Sequence, residues 1–221
     1  TLGRRKLVHV RAPDRVTAET PVLVLLHPFA GNRTSFARHV PGLLDALAAD
    51  TLVAMPECGR RWFIDDHVGG AYGGYVAGDL LPALRDAYGA GGPAAIGGFS
   101  AGGAAAAFLA LRRPDLFSAV LAVAGAFTAA TREGDPYAHA RTDDMMIPTE
   151  AEHDRVWGPP GSATRATHDP ATLIAAMPGG GPPPRFHLAV GTEDFPRMIA
   201  ASDTMAALLA AAGVPVTLDR A

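Results

Sequence analysis

The sequence predicts an α/β chain organised on a doubly wound, mostly parallel sheet with helices on both faces. Three observations carry that prediction. Short apolar runs recur along the 221 residues, a Gly- or Pro-marked loop follows each run, and a longer amphipathic or Ala-rich segment tends to separate it from the next. Such strand–loop–helix spacing is the pattern of parallel β–α–β units. No internal repeat interrupts it, and the length suits a single domain spanning 1–221.

Seven runs read as strands: 7–10, 22–26, 52–55, 94–99, 119–123, 186–190 and 214–218. The first alternates apolar with polar residues (His9, Arg11), as an edge strand or a half-exposed strand does. The runs at 22–26 and 119–123 are apolar on both faces, the pattern of central strands covered by helices. Helices are expected over 35–49, 75–88, 101–113 and 198–212, with Pro114 just past the third, where a stop belongs. Residues 128–185 break the rhythm, being rich in Pro, Gly, Asp and Thr. A structureless loop of that length is uncommon in a compact domain. Short helices lying over one edge of the sheet are expected there, serving either as packing or as one wall of an acyl pocket.

Composition removes several function classes. At 48% hydrophobic and 19% charged residues, the chain is not of the disordered class. A formal charge of −3 gives no reason to expect nucleic acid or an anionic membrane as partner, and no apolar run reaches membrane-spanning length. Lys6 is the only lysine, which excludes a phosphate-binding P-loop and Ser-x-x-Lys chemistry. Cys58 is the only cysteine, so an internal disulfide and a Cys-based zinc site are excluded and the compartment stays open. The start, Thr1-Leu2-Gly3, carries neither an initiator Met nor a signal-peptide core and reads as a mature or trimmed end.

The chemistry centres on Gly98-Phe99-Ser100-Ala101-Gly102, a Gly-x-Ser-x-Gly pattern between an expected strand and an expected helix. A sharp strand-to-helix turn holds such a serine in a strained conformation with Oγ exposed. Side chains two residues to either side would collide, so glycine is needed at both. The helix that follows aims its N-terminal N–H groups at the place where an oxyanion develops. The spacing of Gly97, Gly98, Gly102 and Gly103 does not match a dinucleotide fingerprint.

Two further segments complete the candidate site. The run 22–26 leads into His27-Pro28-Phe29-Ala30-Gly31, where this architecture supplies a second oxyanion donor. The pair of donors is then the backbone N–H of Phe29 and of Ala101. His27 itself is expected to order the loop rather than act as a base. The strand 186–190 delivers Glu193 and Asp194 at its C-terminal end, where catalytic groups of open α/β sheets gather. The chain order nucleophile, acid, histidine favours Asp194 over Glu193, although a carboxylate there can also simply cap the next helix.

Several segments together resemble a family of esterases. They are Tyr75-Val76-Ala77-Gly78-Asp79-Leu80-Leu81-Pro82, then Gly97-Gly98-Phe99-Ser100-Ala101-Gly102-Gly103, then Arg113-Pro114-Asp115-Leu116-Phe117-Ser118. Ala124-Gly125-Ala126-Phe127, Val156-Trp157-Gly158 and His168-Asp169-Pro170 resemble its later landmarks. The family includes the esterase D / S-formylglutathione hydrolase group and the antigen 85 mycolyltransferases. The resemblance implies the α/β-hydrolase fold and a serine hydrolase that cleaves carboxylic esters through an acyl-serine intermediate. It also implies a small-molecule ester or acyl substrate and no metal or organic cofactor. By match of motif it makes Ser100 the nucleophile, Asp194 the orienting acid, and Phe29 and Ala101 the oxyanion donors. An acyltransferase using the same site is the alternative.

One departure matters. In this family the triad histidine follows the last strand, and here no His follows Asp194. Three readings compete: a chain clipped just before that His; a substitute from the excursion (His139, His153 or His168); or an inactive binding or interaction protein on a hydrolase scaffold. Asp65-Asp66-His67 and Glu150 with His153 lack a full set of metal ligands and read as solvated surface. Trp62, Phe63 and Trp157 read equally as acyl-pocket lining or satellite core. The Gly-rich stretch 69–74 reads as a flexible loop leading into a helix. Oligomeric state is not written in the sequence.

Overall fold

In the computed structural model, residues 2–3, 5–131 and 148–221 are described. Seven strands form one sheet: β1 (Val8–Arg11), β2 (Val22–Leu26), β3 (Leu52–Pro56), β4 (Ala94–Phe99), β5 (Ala119–Val123), β6 (Arg185–Val190) and β7 (Val216–Arg220). Their spatial order is β1-β3-β2-β4-β5-β6-β7, with β1 antiparallel at one edge and every other pairing parallel. All seven expected runs are strands, and β1 is the edge strand its alternation predicts.

The helices depart from expectation where local chemistry intervenes. The segment 35–49 forms two helices, α1 (Ser35–His39) and α2 (Pro41–Leu47), because Pro41 disfavours a helical conformation at Val40 and opens a new helix at its own first position. The next begins earlier than expected, with a short α3 (Tyr72–Gly74), continues through a π-helical turn (Tyr75–Leu80) and ends as α4 (Leu81–Tyr88). Gly89 closes it in the left-handed conformation. α5 (Ala101–Arg112) follows the elbow. The excursion holds α6 (Glu150–Trp157), α7 (Ala163–Ala166) and α8 (Pro170–Ala175), and α9 (Pro196–Ala211) precedes β7. Thr149 and Glu152 form a reciprocal capping box at the start of α6.

Every residue of α5 from Ala101 to Leu111 is buried, so this alanine-rich helix needs cover on its outer side as well as its sheet side. The excursion supplies it: α8 packs between α5 and α9. Of the short helices expected over one edge of the sheet, α8 lies over α5, while α6 lies against the loop that follows β3.

The two faces of the sheet are treated unequally. Val22, Val24, Leu26, Ile96, Val120, Ala122, Phe186 and Leu188 join the main core under the helices of one layer. On the other face α1 and α2 cover only Leu23, Leu25, Val53 and Met55. Beyond them Phe99 is 43% and Leu121 39% exposed. The expectation that β5 is covered on both faces is therefore corrected: it is central in the sheet, but among the described residues only one of its faces is packed by helices.

Candidate active site

Ser100 sits one residue past β4, as the N-cap of α5, with φ 54° and ψ −114°. A non-glycine residue at positive φ costs about 1–3 kcal/mol and persists only where its surroundings fix it. Here they do. The Ser100 N–H donates to the Val123 carbonyl (2.9 Å), and the Ser100 carbonyl accepts from Ala104 (3.0 Å) and Ala126 (3.2 Å). The serine side chain makes no cap bond to its own helix, leaving Oγ uncommitted.

The glycines behave as the turn demands. A Cβ on Gly102 would lie 2.0 Å from the Leu26 carbonyl oxygen, and one on Gly98 would lie 2.5 Å from the Gly102 carbonyl carbon. Both clashes are with backbone, which cannot rotate away. The elbow is thus pressed against the end of the neighbouring strand, where Leu26 pairs with Gly98.

That contact brings the loop after β2 alongside Ser100. Phe29 and Ala101 are buried, and neither backbone N–H has a hydrogen-bond partner among the described residues. His27 fixes this loop. Its Nδ1–H donates to the Pro28 carbonyl (2.7 Å) and its Nε2 accepts from the Cys58 N–H (3.1 Å), tying the β2 loop to the loop after β3. Both ring nitrogens are spent and only 2% of the residue is exposed. Burial also holds its pKa below the usual imidazole value. His27 orders the loop and has no nitrogen left for catalysis.

Asp194 lies in the loop between β6 and α9, at the same C-terminal edge of the sheet. Since β5 alone separates β4 from β6, the strands bearing Ser100 and Asp194 are about 10 Å apart laterally. The Asp194 carboxylate accepts from the Phe195 N–H (2.7 Å) at the entry to α9, while Glu193 is exposed. No described histidine hydrogen-bonds to Ser100 or to Asp194. His153 and His168 are buried in an aromatic cluster instead: His168 lies 5.4 Å from Trp157 and 6.0 Å from Phe108, centroid to centroid. Phe108 is eight residues along α5 from Ser100, about 12 Å at the helical rise. His139 lies outside the described residues.

Other sequence candidates resolve as structure. Trp62, Phe63 and Trp157 belong to the core, with the two tryptophans edge to face at 4.8 Å. Asp66 and His153 are buried rather than solvated, which corrects that expectation. Asp66 takes the Arg61 guanidinium and the Gly70 N–H, because a buried carboxylate must be matched by donors. Among the described residues no group of three or more His, Cys, Asp or Glu could hold a metal. No helix in that set is long and apolar enough to cross a membrane.

One feature of the site had no sequence signal. The Arg60 guanidinium lies 4.8 Å from the centre of the Phe29 ring and forms a two-pronged pair with Glu152 (2.5 and 2.8 Å). That pair draws the Glu152 pKa down to about 2. Through Arg60 it joins the candidate oxyanion loop to α6, and the paired residues stand ninety-two positions apart in sequence, a pairing that only the fold creates.

Solved structures share this architecture. FphF of Staphylococcus aureus, a fluorophosphonate-binding serine hydrolase, superposes with a TM-score of 0.78 at 18% identity, over 100% of this chain and 86% of its own. The S-formylglutathione hydrolase FrmB of the same organism gives 0.77 at 18% identity, over 99% and 86%. MPT51 of Mycobacterium tuberculosis gives 0.71 at 17% identity, over 99% and 85%. No curated protein sequence matches the chain. The family model described as "Putative esterase" matches residues 1–212. Nearly the whole chain is covered, elbow included: it belongs to this esterase family and has the α/β-hydrolase fold.

Proposed function

We propose that this esterase cleaves carboxylic esters by acyl transfer through Ser100. The observation that carries the reading is the strained backbone of Ser100, which holds its hydroxyl beside two N–H groups that have no partner among the described residues. Ser100 Oγ attacks the ester carbonyl carbon while a histidine takes its proton. The tetrahedral oxyanion is held by the N–H groups of Phe29 and Ala101 until the C–O bond breaks and the alcohol leaves with that proton. Water then adds to the acyl-serine by the same steps in reverse, releasing the acid. Water as acceptor is preferred to an alcohol.

The histidine lies outside the described residues, oriented by Asp194. The position of the described histidines supports this, since those in the core and in the oxyanion loop are engaged or buried.

The test uses the full-length protein with a fluorophosphonate, the reagent class that FphF binds, and with a short p-nitrophenyl ester. The expected result is a covalent adduct on Ser100 and a burst of p-nitrophenol, both lost in Ser100→Ala. Absence of both in the unaltered protein would overturn the enzyme reading and leave an inactive binding protein on this scaffold.

A further inference from the structure

A cavity of about 380 Å³ opens at the C-terminal end of β3, between the loop after that strand and α6. β2 alone lies between β3 and β4, so the cavity is roughly 10 Å from the strand that carries Ser100. Its wall reaches the candidate oxyanion loop through Arg60, which stacks on Phe29. Four cations line it, Lys6, Arg60, Arg61 and Arg155, against two carboxylates, Glu57 and Glu152.

The charges are not evenly matched. Glu152 is committed to Arg60 and Glu57 to Arg33 (2.7 Å), while Arg61 is neutralised by the buried Asp66. Lys6 and Arg155 have no carboxylate within ion-pair distance among the described residues. The Lys6 ammonium donates to the Tyr72 hydroxyl (3.2 Å) and lies 4.7 Å from the centre of its ring, contacts that place the charge without neutralising it. The cavity also contacts buried Cys58, Tyr72 and Val156, and an apolar floor strengthens the field of the two cations.

We infer that the chain prefers esters bearing a carboxylate remote from the scissile bond, held by Lys6 and Arg155 in this cavity. The inference rests on the proposed role of Ser100, which sets where the scissile bond lies. A monoanion fits better than a dianion, because Glu57 and Glu152 face the same space and repel a second negative charge. Of the separation of about two strand spacings, the hydrogen bond from Lys6 or Arg155 spans about 3 Å, and the remainder calls for a spacer of several methylenes between ester and carboxylate, as in the half-esters of glutaric or adipic acid.

The test compares p-nitrophenyl hemiglutarate with p-nitrophenyl butyrate on the full-length protein. Each charge-assisted hydrogen bond to the carboxylate corresponds to about tenfold in kcat/KM. The hemiglutarate should therefore be preferred by at least that factor. The preference should fall in Lys6→Gln and in Arg155→Gln, return in Lys6→Arg, shrink with added salt, and be untouched in Arg15→Gln. Arg155 is exposed on its helix, so its variant is expected to fold even if Lys6→Gln does not.

A second readout does not depend on turnover. Trp62 and Trp157, the only tryptophans, directly follow the cavity residues Arg61 and Val156. In Ser100→Ala their fluorescence should respond to monomethyl glutarate at lower concentration than to methyl butyrate. If neither ester is hydrolysed but this difference appears, the cavity assignment stands and the Ser100 reading fails. Equal use of the two esters, or a preference that survives both glutamine substitutions, would overturn the cavity assignment alone.

Discussion

His168 makes the stability of this protein depend on pH, with a sign and size that follow from its surroundings. The ring is 2% exposed, edge-on to Trp157 and Phe108. Its Nδ1–H donates to the Thr164 carbonyl (2.7 Å), and its Nε2 is buried without a partner. Burial, then the charge of Arg112, lowers its pKa from 6.5 to about 4. The folded state therefore favours the neutral ring, and the unfolded chain takes up the proton first as pH falls. The stabilisation is complete above pH 6.5 and is lost progressively between there and about 4. At 1.36 kcal/mol per pH unit, about 2 kcal/mol is lost by pH 5 and roughly 3.4 kcal/mol once both states are protonated. Urea denaturation at several pH values from 7.5 to 5 measures this above the range where Glu152 begins to matter. His168→Gln removes the linkage, so its stability should fall less steeply over the same interval, by about 2 kcal/mol. Parallel pH profiles for the two proteins would refute the argument.

Other expectations follow from single contacts. Ser100→Gly should be more stable than Ser100→Ala by about 1 kcal/mol in urea unfolding, because glycine relieves the positive φ that alanine retains. Gly102→Ala should lower the free energy of urea unfolding by at least the 1–3 kcal/mol typical of overpacking, since its Cβ meets a backbone carbonyl. The Cys58 thiol is buried, donates to the Arg61 carbonyl (2.8 Å) and has its pKa raised by burial, so it should react with Ellman's reagent only on unfolding. His27→Ala leaves the Cys58 N–H buried without an acceptor and should cost about 1–3 kcal/mol, read as a drop in Tm.

The elbow was legible in the sequence because its constraint is local: the glycines flanking Ser100 stand where a Cβ would strike backbone. Strands were legible because each apolar run is short and bounded by turn residues. The split at Val40 was written in Pro41 but masked by the apolar pattern running through it. Burial of Asp66 and His153 was not legible, since a charged residue among polar neighbours reads as surface until the fold brings Arg61 or an aromatic cluster to it. The Arg60–Glu152 bridge and the cavity beside it depend on chain segments far apart in sequence, for which local periodicity carries no information. The exposed face of β5 sharpens the same point. A sequence run apolar on both faces reports that both faces are adapted to burial, and only the fold decides which of them is covered. Leu121 satisfies the first without the second: the cover given by α1 and α2 stops at Leu23, Leu25, Val53 and Met55, and Leu121 remains 39% exposed.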